Sequence, residues 1–198
     1  MNHNLFFCGD SVTYGMELEP YGRVEKRFST LVSTESNLTH FNHSLSGACN
    51  DWIVKNAIQY FRDGNTCDRA IIQFSAPERW LYWCDTLKRF QNIGNATTTN
   101  NFKSIGVRQA HRAYYDNIYS PELAIENYWK NVFFINEYLK DKCEVLYLTL
   151  GFPVPRDNEW VPDVEIGSVK EMVGTSRLVG HPSPEGHRKI ADYILKKL

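Results

Sequence analysis

The chain has 198 residues, 42% of them hydrophobic and 14% aromatic, and a formal net charge of −1. That length and composition fit one domain with a real core. No apolar run is long enough to span a bilayer, and the charge balance gives no field directed at nucleic acid or an anionic membrane.

Leu5-Phe6-Phe7-Cys8 reads as a short buried strand ended by Gly9. Residues 27–32 read as a short helix with Phe28, Leu31 and Val32 on one side, and 38–42 as a second strand. Residues 50–63 form a stronger helical pattern, with Asn50 as N-cap and Ile53, Ala57, Tyr60 and Phe61 at helical spacing, closed by Gly64. Residues 70–74 read as a buried strand. A long helix over 121–140 starts near Pro121 and carries a stripe through Ala124, Tyr128, Val132, Ile135 and Leu139. Residues 145–150 form the clearest strand, and 184–198 the last helix, with Ile190, Ile194 and Leu195 facing inward.

Strands thus alternate with helices, and the strands are continuous apolar runs. That combination predicts an α/β fold with a central parallel sheet covered on both faces. Sites in such sheets form at the carboxyl ends of the strands, and Ser11 sits just past the first. Two stretches fit no regular element. Residues 76–120 are polar and aromatic, with Trp80, Tyr82, Trp83, Tyr114 and Tyr115, and read as a partly helical cap or partner surface. Residues 157–177 form the second. With no repeat or linker, residues 1–198 read as a single domain.

The five cysteines, Cys8, Cys49, Cys67, Cys84 and Cys143, have neither metal nor redox spacing and read as buried free thiols. Met1-Asn2-His3-Asn4 lacks the basic region of a secretion signal, so a cytoplasmic location is expected. The glycosylation-type triplets at 37–39, 42–44 and 95–97 then carry no meaning. His40 and His43 would point to opposite faces of a strand, and no other ligand cluster accompanies them, so no metal or cofactor is expected.

Ser11 needs a base to become a nucleophile, and an imidazole is the commonest at neutral pH. His181, between Gly180 and Pro182, is the candidate; His187, inside the last helix, reads as a surface or capping residue. Gly47, in Asn42-His43-Ser44-Leu45-Ser46-Gly47-Ala48, can bring a backbone N–H close to Ser11 and so form part of an oxyanion hole.

Together these segments resemble the SGNH (GDSL) hydrolase family. Gly9-Asp10-Ser11-Val12-Thr13-Tyr14-Gly15 resembles its first block, Ser44-Leu45-Ser46-Gly47-Ala48 its second, and His181-Pro182-Ser183-Pro184-Glu185-Gly186-His187 its fifth. The resemblance runs from end to end of the chain in the right order. It implies a flavodoxin-like three-layer α/β/α sandwich and hydrolysis of small-molecule, carbohydrate or lipid esters. It makes Ser11 the nucleophile, His181 the base, Gly47 an oxyanion donor and Asp10 a structural residue of the turn. The G-x-S-x-G elbow of the ordinary α/β-hydrolases is absent.

Two positions depart from the family. Its third block carries an oxyanion asparagine where this chain has Pro77, which donates nothing. Ser75 or Arg79 is the candidate substitute; Arg79 equally suits an acidic substrate group or a salt bridge. The family aspartate three residues before the histidine is replaced by Leu178. A main-chain carbonyl near Leu178, or Asp163, Glu165 or Glu171, is the candidate replacement. These departures motivate a second reading, a catalytically weak or inactive binding or assembly protein on the same fold.

Overall fold

The computed structural model describes residues 4–85, 87–94, 105–151, 154–156, 160–174 and 181–198. In chain order its elements are β1 (Asn4–Cys8), α1 (Ser11–Tyr14), a 3₁₀ turn (Glu19–Tyr21), α2 (Arg23–Lys26), α3 (Phe28–Ser36), β2 (Thr39–Asn42), α4 (Asn50–Arg62) and β3 (Arg69–Phe74). Then follow β4 (Trp80–Cys84), β5 (Arg89–Ile93), α5 (Ile105–Asn117), α6 (Pro121–Leu139), β6 (Glu144–Thr149), β7 (Ile166–Ser168), α7 (Val169–Val173) and α8 (Pro184–Leu195).

Five strands pair in the order β2-β1-β3-β6-β7, every pair parallel. Successive side chains of a strand point to opposite faces, and the strand sequences use both. Phe6, Cys8, Ala70, Ile72 and Phe74 pack on one face with Ile53, Ala57, Tyr128, Val132 and Ile135 of α4 and α6. Leu5, Phe7 and Ile71 pack on the other with Phe28, Val32, Val169, Ile190 and Ile194 of α3, α7 and α8. The result is the α/β/α sandwich expected from the pattern. Among the described residues no helix is long and apolar enough to cross a membrane.

The stretch 76–120 holds more order than its composition suggested. β4 and β5 form an antiparallel hairpin, and Trp80 stacks on Tyr114 of α5 at 4.6 Å between ring centroids. The stretch 157–177 contributes β7 and α7. The triplet at 95–97 and Leu178 lie outside the described residues. Asn50 does not cap α4: Cys49 is the N-cap, and Asn50 is its first helical residue, buried and bonded elsewhere. His187 does not face solvent either. It is fully buried on the inner side of α8, because 187, 190, 191 and 194 share one helical face. All five cysteines are free thiols, and all but Cys143 are buried.

Candidate active site

β1 ends in Gly9, and the chain turns sharply into α1. Asp10 is the N-cap of that short helix, its Oδ1 accepting from Val12 N at 3.0 Å. This places Ser11 on the first helical position, at the carboxyl end of a central strand. Gly9 is required by space. A Cβ there would lie 2.4 Å from Thr13 Oγ1 and 2.9 Å from Gln73 Oε1. Gln73, fully buried on β3, accepts from Asp10 N at 3.2 Å and from the Thr13 hydroxyl at 3.0 Å. The turn therefore rests on a side chain of the next strand rather than on water.

Asp10 has no exposure, so its charge needs partners. Oδ2 accepts from the Ser75 hydroxyl at 2.9 Å and from Arg79 Nη1 at 3.1 Å. The same Nη1 donates to Ala48 O at 3.2 Å. Of the two substitutes expected for the oxyanion asparagine, Ser75 thus commits its hydroxyl proton to Asp10, and Arg79 forms a salt bridge to it. Asn50 acts on Ser75 as a second peptide group would. Its Oδ1 accepts from Ser75 N at 2.7 Å and its Nδ2 donates to Ser75 O at 3.2 Å. Gln73 was not singled out in the sequence, and Asn50 was read only as a helix cap. A buried-polar signal appears only once the strand and helix registers are known.

The segment carrying Gly47 runs beside this turn. His43 N donates to Phe7 O at 2.8 Å and Leu45 N to Gly9 O at 3.2 Å, so the chain stays on β1 past the end of β2. Asn42 Nδ2 bonds Thr13 O at 3.0 Å and Ser29 Oγ at 2.8 Å. Asn92 of β5 accepts from Cys49 N at 2.9 Å. Gly47 itself has φ +79°, and a Cβ there would meet nothing within 4 Å. Backbone conformation, not crowding, calls for glycine here. Among the described residues nothing accepts from the N–H of Gly47 or of Ser11.

Cys8, below the turn, donates to His43 O at 3.2 Å; burial pushes its thiol up to about 12, which removes it as a rival nucleophile.

His181 lies at the far end of the chain and meets Glu17, six residues past Ser11. Nδ1 is 3.2 Å from Glu17 Oε1, and the His181 N–H donates to Oε2 at 3.4 Å. The ring contact has ion-pair distance, but the ring N–H is not aligned on the oxygen. His181 lowers the Glu17 carboxyl below its usual range, chiefly through the side-chain contact. Ser11 and His181 are not joined by a hydrogen bond. Of the acids expected near His181, Glu165 pairs instead with Lys197 at 2.8 Å and accepts from Tyr193 OH at 3.3 Å. Glu171 sits in the first turn of α7, where Ser168 caps its N–H, and among the described residues Asp163 forms no hydrogen bond or ion pair with His181. Behind His181, the His187 ring is driven down to about 4 by burial, with His181 as the smaller cause, and accepts from Phe28 N at 3.3 Å. It stays neutral at ordinary pH.

No protein-family model matches the sequence, and no curated protein does. Among solved structures the whole chain is similar to esterases and to a G-D-S-L lipolytic protein. A member of the lipolytic protein G-D-S-L family from Veillonella parvula is 13% identical, with TM-score 0.53 over 98% of this chain and 97% of that one. A psychrotrophic esterase from a Pseudoalteromonas species is 9% identical, with TM-score 0.56 over 98% and 95%. An acetyl xylan esterase from the rumen bacterium Butyrivibrio proteoclasticus is 11% identical, with TM-score 0.55 over 99% of this chain and 63% of that one. The fold is therefore that of the SGNH (GDSL) hydrolases.

Proposed function

We propose that this protein is a serine ester hydrolase, with Ser11 as nucleophile and His181 as base. The observation that carries the reading is the placement of Ser11. It stands on a hydrogen-bonded turn at a strand's carboxyl end, close to two backbone N–H groups, its own and that of Gly47, that have no acceptor among the described residues.

In this reading Ser11 Oγ adds to the ester carbonyl carbon while His181 Nε2 takes the hydroxyl proton. The oxyanion accepts from the N–H groups of Ser11 and Gly47. Collapse breaks the carbon–oxygen bond, and His181 returns the proton to the departing alcohol. Water then repeats the sequence on the acyl-serine, releasing the acid and restoring Ser11. Apo sites often hold nucleophile and base apart until substrate arrives. Nη1 of Arg79 holds Asp10 and Ala48, and its other nitrogens are the proposed third donor in place of the family asparagine. One such donor is worth about 10²–10³ in turnover.

The neighbours support an ester as substrate, including a carbohydrate acetate. Trp80, next to Arg79 in the chain and partly exposed, is the aromatic side chain proposed to meet an apolar or sugar-bearing ester. The free thiols suit a reducing, cytoplasmic setting. The absent Ser11–His181 bond favours the second reading, a binding protein on this fold. Fluorophosphonate labelling decides between them. Labelling of the wild type that is lost in Ser11→Ala and His181→Ala establishes the hydrolase. Folded protein that stays unlabelled, and does not hydrolyse p-nitrophenyl acetate, establishes the other.

A further inference from the structure

We propose that Glu17 is the positioning carboxylate of His181, taking the place of the missing acid beside the histidine. This rests on the reading of His181 as base. Both oxygens of Glu17 face one residue, Oε1 at the ring and Oε2 at the backbone N–H. A carboxylate at Nδ1 favours the tautomer protonated there, which leaves the Nε2 lone pair free to take a proton from Ser11.

The backbone around Glu17 is built for this placement. Its φ is +66°, a left-handed conformation that a residue with a Cβ holds only under constraint. Met16 N donates to Ser11 O at 2.9 Å, Leu18 N donates to Gly15 O at 3.2 Å, and the Leu18 side chain is fully buried. The strained residue is locked between the end of α1 and a core anchor, and its side chain goes to His181. Of the acids expected near His181, Glu165 is engaged with Lys197, and among the described residues neither Asp163 nor Glu171 has a hydrogen bond or ion pair with His181.

Glu17 is 60% exposed, so solvent screens the contact. Its loss should cost less than the ~10⁴-fold seen when a buried triad acid is replaced by its amide. A 10–100-fold fall in kcat, with little change in KM, is expected for Glu17→Gln, whose amide can present N–H to Nδ1 and stabilise the wrong tautomer.

The test pairs kinetics with ¹⁵N NMR of the imidazole in folded protein, using p-nitrophenyl acetate as probe ester. Expected are a His181 ring protonated at Nδ1 in wild type and in Glu17→Asp, a shift toward Nε2–H in Glu17→Gln, and unchanged melting. Glu17→Asp should keep more kcat than Glu17→Gln. A tautomer identical in wild type and Glu17→Gln overturns the proposal, with or without esterase activity, and so does an unchanged kcat in an enzyme that Ser11→Ala inactivates. Failure of the hydrolase reading looks different: Ser11→Ala and wild type behave alike, while the tautomer still follows residue 17.

Discussion

The two halves of the candidate site are held in opposite ways. Around Ser11, the polar groups of Asp10, Gln73, Ser75 and Asn50 are buried and bonded to one another across β1, β3 and α4. Around His181, a partly exposed ring meets a carboxylate on an exposed side chain, with His187 buried beneath. Buried polar networks are stiff when complete and costly when broken; exposed ion pairs add little stability. The proposed nucleophile is thus part of the core, whereas the proposed base leans on it. Changes on the first side should appear in folding, and changes on the second in turnover.

The largest expected effect breaks the buried side. Arg79→Met leaves Asp10 charged and without its cation, and should destabilise the fold by about 3–5 kcal/mol in urea denaturation. A loss under 1 kcal/mol would mean that Asp10 is already well served by Ser75 and Val12 N. Next comes acid. The folded His187 pKa of about 4 lies below its ordinary 6.5, so the unfolded chain binds the extra proton first as pH falls. Stability is therefore full above pH 6.5 and declines toward pH 4, by up to about 3 kcal/mol. Urea midpoints against pH should show this limb in wild type. It should vanish in His187→Leu, which begins less stable because Phe28 N loses its acceptor.

Gly9→Ala, which forces a Cβ onto Thr13 and Gln73, should cost about 1–3 kcal/mol and lower turnover by tilting α1; thermal melting and ester hydrolysis check it together. The smallest effect sharpens the comparison on the exposed side. Glu17→Gly relieves a left-handed backbone and gives up one screened contact, so it should stabilise by about 0.5 kcal/mol while slowing hydrolysis. Lower stability with unchanged turnover would reverse the contrast.

The layers of the fold were legible because they are periodic. β1 and β6 carry continuous apolar runs, β3 carries one interrupted only by Gln73, and α4, α6 and α8 carry stripes. The short elements were not: α1 has four residues and β7 three, too few for a pattern to repeat. The hairpin of β4 and β5 hid in its aromatics, since Trp80, Leu81, Tyr82 and Trp83 do not alternate in polarity. His187 could have been placed correctly, as it falls on the stripe of Ile190, Ala191 and Ile194. Ser11, Gly47 and His181 enter the proposed site from motifs alone. Glu17 was not, because its relation to His181 exists only once the chain ends meet, and a lone acid after a turn has no signature.

The ladder bonds past the end of β2 set a limit on heat tolerance. Gly47 is placed relative to Ser11 by the pairing of β2 with β1 and its continuation through His43 and Leu45. β2 is one of the sheet's two outer strands and is half open to water. A slip of one residue there would carry Gly47 by about 3.3 Å, more than a hydrogen bond tolerates. Edge strands open before cores do, so on warming the protein should become inactive, and recover on cooling, at temperatures where its helices are still intact.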